Sequence, residues 1–141
     1  MGRILAIDYG SKRVGLAVTD PLRIIARALD TVHVKDIQAY LKHYISNETV
    51  DVIVLGEPKT LLNTPSLSAR FINPFAVYLQ RQFPEITLIR WDERFTTQLA
   101  KQSLLENGVK KKQRENKQQL DQISAVILLQ DYLNFLNQSV L

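Results

Sequence analysis

The segment Ile4-Leu5-Ala6-Ile7-Asp8-Tyr9-Gly10 sets four unbroken apolar residues directly before an acid, with a glycine two residues further on. So short and continuous an apolar run leaves no side for solvent. It suits a strand covered on both faces, and therefore a sheet with layers above and below it. Gly10 allows a turn, and Val14 to Val18 reads as the returning strand of a hairpin. The acid is the anomaly. A carboxylate kept charged at the rim of an apolar core is costly unless a cation or hydrogen bonds compensate it, so Asp8 calls for a partner, and a divalent metal is one candidate.

The rest of the chain supplies the layers. Arg3 to Asp8 and Val14 to Thr19 are expected as antiparallel strands, followed by a turn at Asp20-Pro21 and a third, more exposed edge strand within Ile24 to Val34. From Asp36, the apolar residues Ile37, Tyr40, Leu41, Tyr44 and Ile45 keep the spacing of an amphipathic helix, which Asn47 ends. Val50 to Leu55 then reads as a buried strand parallel to the first, since a helix separates the two. Thr64-Pro65 opens a long helix toward Phe83, and Pro74 inside it predicts a kink or two consecutive helices meeting near Asn73. Ile86 to Trp91 is the last strand. A helix runs from Thr96 or Thr97 through Leu105, with Asn107-Gly108 as a stop signal, and a final helix, apolar nearly all round, spans Leu120 to Leu136.

This order of elements predicts an α/β protein of one domain over residues 1–141, which is the usual domain size. Its five-stranded mixed sheet has the first three strands antiparallel, the first, fourth and fifth parallel, and helices on both faces. Parallel strands end on one side, and ligands of open α/β sheets bind outside those carboxyl ends. Three acidic positions reach that side: Asp8, Asp92 or Glu93, and Asp121 in the first turn of the last helix. Converging carboxylates repel unless a cation lies among them, and hard oxygen donors suit Mg²⁺ or Mn²⁺. Such a site can activate water and clamp a phosphate, so metal-dependent hydrolysis of nucleic acid leads the hypotheses. Strand alternation puts Glu93 with Ile89 and Trp91, and Asp92 with Leu88 and Arg90, without choosing between them.

Each of these acids has a plain structural rival. Asp8 can accept hydrogen bonds within its own turn. Asp121 can be favoured by the helix dipole alone, and Glu93 and Arg94 can form a surface ion pair. Asp20, which a hairpin turning near Ser11-Lys12 sets opposite Arg3, lies too far along the strand from Asp8 to be a ligand.

Composition narrows the partners. A formal net charge of +4 modestly favours acidic partners such as nucleic acid. Lys12 and Arg13 at the hairpin tip are candidate phosphate contacts. Lys110, Lys111, Lys112, Arg114 and Lys117 form a basic tract with no apolar anchor, expected to be mobile and a candidate nucleic-acid arm. Cysteine is absent, which excludes disulfides, thiolate nucleophiles and zinc-thiolate sites. His33 and His43 cannot build a histidine-rich metal site. No membrane-spanning run and no leader-like order of residues is expected, so the cytoplasm is the expected compartment, with no membrane partner.

The opening Ile-Asp-Tyr-Gly-Ser-Lys-Arg-Val-Gly-Leu-Ala-Val-Thr-Asp, the segment Asp92-Glu93-Arg94-Phe95-Thr96-Thr97, Gly108, and Asp121 with Ser124-Ala125 resemble the YqgF family, also called RuvX. The resemblance spans nearly the whole chain. It implies an RNase H-like fold and nuclease activity at a carboxylate site holding Mg²⁺ or Mn²⁺, with Asp8, Glu93 and Asp121 as the ligands and Glu93 preferred to Asp92 within that pair. It also implies a structured nucleic acid as partner, either the precursor of 16S ribosomal RNA, with ribosomal particles in attendance, or a four-way DNA junction. Monomer and dimer both fit. Two features depart from the family pattern. Gly56-Glu57-Pro58 stands where Gly-Leu-Pro is common, so Glu57 either joins the ligands or faces solvent, and Lys59 to Thr64 lacks the usual Asp-Gly turn. Two competing classes are an actin-like kinase, which would need a second such domain, and a nucleic-acid-binding module without catalysis.

Overall fold

The computed structural model describes residues 2–57, 69–92 and 117–140. Five strands form one sheet: β1 (Arg3–Tyr9), β2 (Arg13–Thr19), β3 (Ala26–His33), β4 (Val50–Glu57) and β5 (Thr87–Asp92), in the order β3-β2-β1-β4-β5. β1–β2 and β2–β3 pair antiparallel, while β1–β4 and β4–β5 pair parallel, as the sequence predicts. The described helices are α1 (Ile37–Asn47), α2 (Ala69–Gln82) and α3 (Lys117–Val140).

Alternation along the strands divides the core in two. Leu5, Ile7, Val14, Leu16, Val18, Ile53 and Leu55 face α1 and α2, where they meet Ile37, Leu41, Ile72, Phe75 and Leu79. Ile4, Ala6, Ala17 and Val54 face α3 and pack on Ala125, Leu128, Leu129, Tyr132 and Leu133. Ile4 to Ile7 are fully buried, which is the outcome required of a strand covered on both sides.

Several boundaries differ from the expected ones. β3 begins at Ala26 rather than Ile24, because the Asp20 carboxylate accepts the N–H groups of Leu22, Ile24 and Ile25 at 3.2, 2.8 and 2.8 Å and winds that stretch into a turn. Arg23 there has φ 59°, and its guanidinium donates to the Gly2 carbonyl and the Asp51 carboxylate. Pro74 lies inside α2 without dividing it. The proline is on the exposed side, while buried Ile72 and Phe75 on either side of it hold the helix to the sheet, so one missing backbone donor is tolerated. α3 starts at Lys117, three residues before the first apolar signal at Leu120. The expected helix start at Thr64-Pro65, the helix 96–105 and residues 110–116 of the basic tract lie outside the described residues.

Candidate active site

Since β1, β4 and β5 are parallel, their carboxyl ends share one edge, and the hairpin tip 10–12 stands beside it. The tip is closed by the Gly10 N–H donating to the Arg13 carbonyl at 2.9 Å. A Cβ on Gly10 would lie 2.7 Å from that carbonyl oxygen, so glycine serves close approach of the backbone here. The Val34 N–H donates to the Lys12 carbonyl at 2.9 Å, tying the tip to the chain after β3 and leaving the Lys12 side chain exposed. Arg13, half-buried, opens β2 opposite His33.

Asp8 is half-buried and, by alternation with Ile4 and Ala6, belongs to the α3 face. Its partner on β2 is Gly15. The β1–β4 register, in which Ile7 pairs with Leu55, brings Gly56 alongside on the other side, and Gly56 in turn pairs with Trp91. The row therefore reads Gly15, Asp8, Gly56, Trp91. Neither immediate strand neighbour of Asp8 carries a side chain, so a hydrated ion or a phosphate meets no cross-strand side chain beside the carboxylate. The glycine row was not anticipated from the sequence, because it depends on register. Trp91 closes the far end, its ring edge-on to Tyr132 and Phe135 at 5.5 and 5.4 Å between centroids. It is packing, and so is Tyr9, which stacks on Phe75 at 4.3 Å.

The other described acids at this edge fall on the opposite face. Asp92 alternates with Leu88 and Arg90, and Leu88 belongs to the core beneath α1 and α2. Glu57 pairs with Asp92 in register and shares the face of Ile53 and Leu55. Its carboxylate is 2.7 Å from the Arg90 guanidinium, which also donates to Asn73 Oδ1 at 2.6 Å. Arg90 is a residue the sequence reading passed over. Its only signal there was its place two residues from the end of the last strand.

Asp121 is the fifth residue of α3, not in its first turn as expected, and the first turn holds no acid. The helix-dipole account of Asp121 thereby loses its footing, because that effect fades beyond the first turn. Glu93, Arg94, Lys110, Lys111, Lys112 and Arg114 lie outside the described residues, and Lys117 opens α3. Among the described residues no three potential metal ligands gather. Asp20 holds a turn far from Asp8, where hydrogen bonds from backbone N–H groups, that of Ile25 foremost, lower its pKa below the ordinary value.

A five-stranded mixed sheet in this order, with helices on both faces, is an RNase H-like fold. Two solved structures share it at low identity. They are the fowlpox virus resolvase with its substrate Holliday junction DNA (TM-score 0.59, 12% identity, 95% of this chain and 98% of that one) and T. thermophilus RuvC with a Holliday junction substrate (TM-score 0.58, 16% identity, 94% of each). The family model RuvX, described as a Holliday junction resolvase, matches residues 2–135, and the chain belongs to that family. Similar sequences include proteins named "Putative pre-16S rRNA nuclease" from Flavobacterium johnsoniae (48% identical, covering 95% of this chain and 97% of the relative) and Amoebophilus asiaticus (50% identical, 95% of each). No helix among the described residues is long and apolar enough to cross a membrane.

Proposed function

We propose that the chain is a nuclease that hydrolyses phosphodiester bonds in structured nucleic acid, acting on the precursor of 16S ribosomal RNA. The observation that carries this reading is Asp8: a half-buried acid at the carboxyl edge of the sheet, between two glycines, in a chain of the RuvX family. The names of its relatives supply the RNA substrate. The family description favours a second reading, in which the substrate is a four-way DNA junction.

Asp8, Glu93 and Asp121 are the proposed ligand set for Mg²⁺ or Mn²⁺. The fit is chemical, since carboxylate oxygens are the donors these hard cations prefer, and the residue facing Asp8 on β2 is a glycine. When bound, such an ion polarises the phosphate and generates a nucleophile from water. Asp92 is the poorer candidate because it shares the face of Glu57 and Arg90, opposite that of Asp8. Lys12, Arg13, Arg94 and the tract Lys110, Lys111, Lys112, Arg114 and Lys117 are proposed to hold backbone phosphates, which sets orientation without reading sequence.

The deciding experiment offers both substrates, with Mg²⁺ or Mn²⁺, to the purified protein and to Asp8→Asn. Loss of cleavage with retained binding is expected for the variant. Equal activity would falsify the reading, and the preferred substrate separates RNA from junction DNA.

A further inference from the structure

Behind the row that contains Asp8, three elements are joined by one guanidinium. Arg90 of β5 contacts Glu57 at the end of β4, at 2.7 Å, and Asn73 of α2, at 2.6 Å, both through Nη2. In register, Leu55 pairs with Arg90 and Glu57 with Asp92, so the ion pair runs diagonally across the ends of the two strands. The residues it straddles are Gly56 and Trp91, which are directly paired; Gly56 lies next to Asp8, and Trp91 one strand further along the same row. A half-exposed pair of this kind contributes too little to stability to make that its main effect. Its geometry does more than its energy. Glu57 and Asp92 are like charges on facing positions of neighbouring strands, and Arg90 sets a cation against the Glu57 member of that pair.

We propose that Glu57 and Arg90 are positioning residues for the Asp8 site: with Asn73 they clamp the carboxyl ends of β4 and β5 from the back of the sheet and hold Gly56 and Trp91 flat in the row of Asp8. The proposal rests on the metal-site reading above and assigns Glu57 a role other than ligand. Partners that orient a site without touching the ion commonly govern its affinity, by tenfold or more.

The test measures Mn²⁺ binding to the free protein by electron paramagnetic resonance for Glu57→Gln, Arg90→Ala, the exchanged pair Glu57→Arg with Arg90→Glu, and Asp8→Asn, with substrate KM beside it for the clamp variants. Each single clamp variant is expected to weaken Mn²⁺ binding by about tenfold with KM little changed, and the exchanged pair to recover most of the loss. Wild-type Mn²⁺ binding in both single variants overturns the clamp. A loss in Glu57→Gln that the exchange does not recover, with Arg90→Ala unaffected, also overturns it, by making Glu57 a ligand. Asp8→Asn reports separately: if that variant binds Mn²⁺ like wild type, the metal-site reading fails whatever the clamp variants do.

Discussion

Replacing Leu128 with alanine tests whether α3 seals the face on which Asp8 lies. Leu128 is fully buried, packed among Ile4, Ala6, Val54 and its own helix neighbours. Truncation removes the transfer free energy of the lost carbons and leaves a cavity that a flat sheet cannot close, together about 3 kcal/mol. For a domain of this size that lowers Tm by about 10 °C. The comparison is Leu79→Ala, equally buried beneath the other face, which should cost about the same. Urea unfolding gives both stabilities. Cleavage measured well below either Tm should then fall for Leu128→Ala, whose helix also carries Asp121, and hold for Leu79→Ala. A cost below about 1 kcal/mol for Leu128→Ala, the range of a surface substitution, would refute the packing of α3 described above.

Gly10→Ala should cost about 1–3 kcal/mol, because the new Cβ would meet the Arg13 carbonyl oxygen at 2.7 Å and neither backbone can yield cheaply; unchanged urea unfolding would show that the hairpin tip relaxes. Burial, followed by the charge and hydrogen bond of Asp30, pushes the Tyr40 hydroxyl up to about 12. The folded state thus keeps that proton longer than the unfolded chain, so stability contributed there is present below pH 10 and lost as pH rises toward about 12. Tyr40→Phe should flatten that part of the alkaline stability curve, followed by denaturant titrations at stepped pH. Lys12→Ala should weaken binding to any structured nucleic acid and reduce the slope of log affinity against log salt by about 1, as measured by fluorescence anisotropy. An unchanged slope would remove Lys12 from the interface.

The architecture was readable because its signals are local. Four apolar residues before Asp8, helical spacing after Asp36, and a second apolar run at Val50 to Leu55 together imply a parallel crossover, and the strand order follows. Part of what escaped is local but carries no signal, and part depends on neighbours distant in sequence. No pattern within residues 20–25 reveals that one carboxylate will capture three amides and delay β3. The start of α3 at Lys117 was hidden because Lys117, Gln118 and Gln119 carry no apolar signal. At the site, Asp8 stood out as the residue where an apolar strand stops. Its separation from Asp92 and Glu57 needed the registers between strands, and so did the two glycines beside it.

The division of the core into two halves has a consequence for how the chain folds. Among the described residues, the half beneath α1 and α2 draws on Leu5 to Leu88, elements that follow one another closely. The half around Ile4, Ala6, Ala17 and Val54 is closed by α3, whose contacts span most of the sequence and carry the larger loop-closure cost. A chain that has not yet docked α3 presents a bare apolar sheet face with the Asp8 carboxylate at its rim. In that undocked form the face is open to aggregation, and Asp8 lacks the helix that carries Asp121.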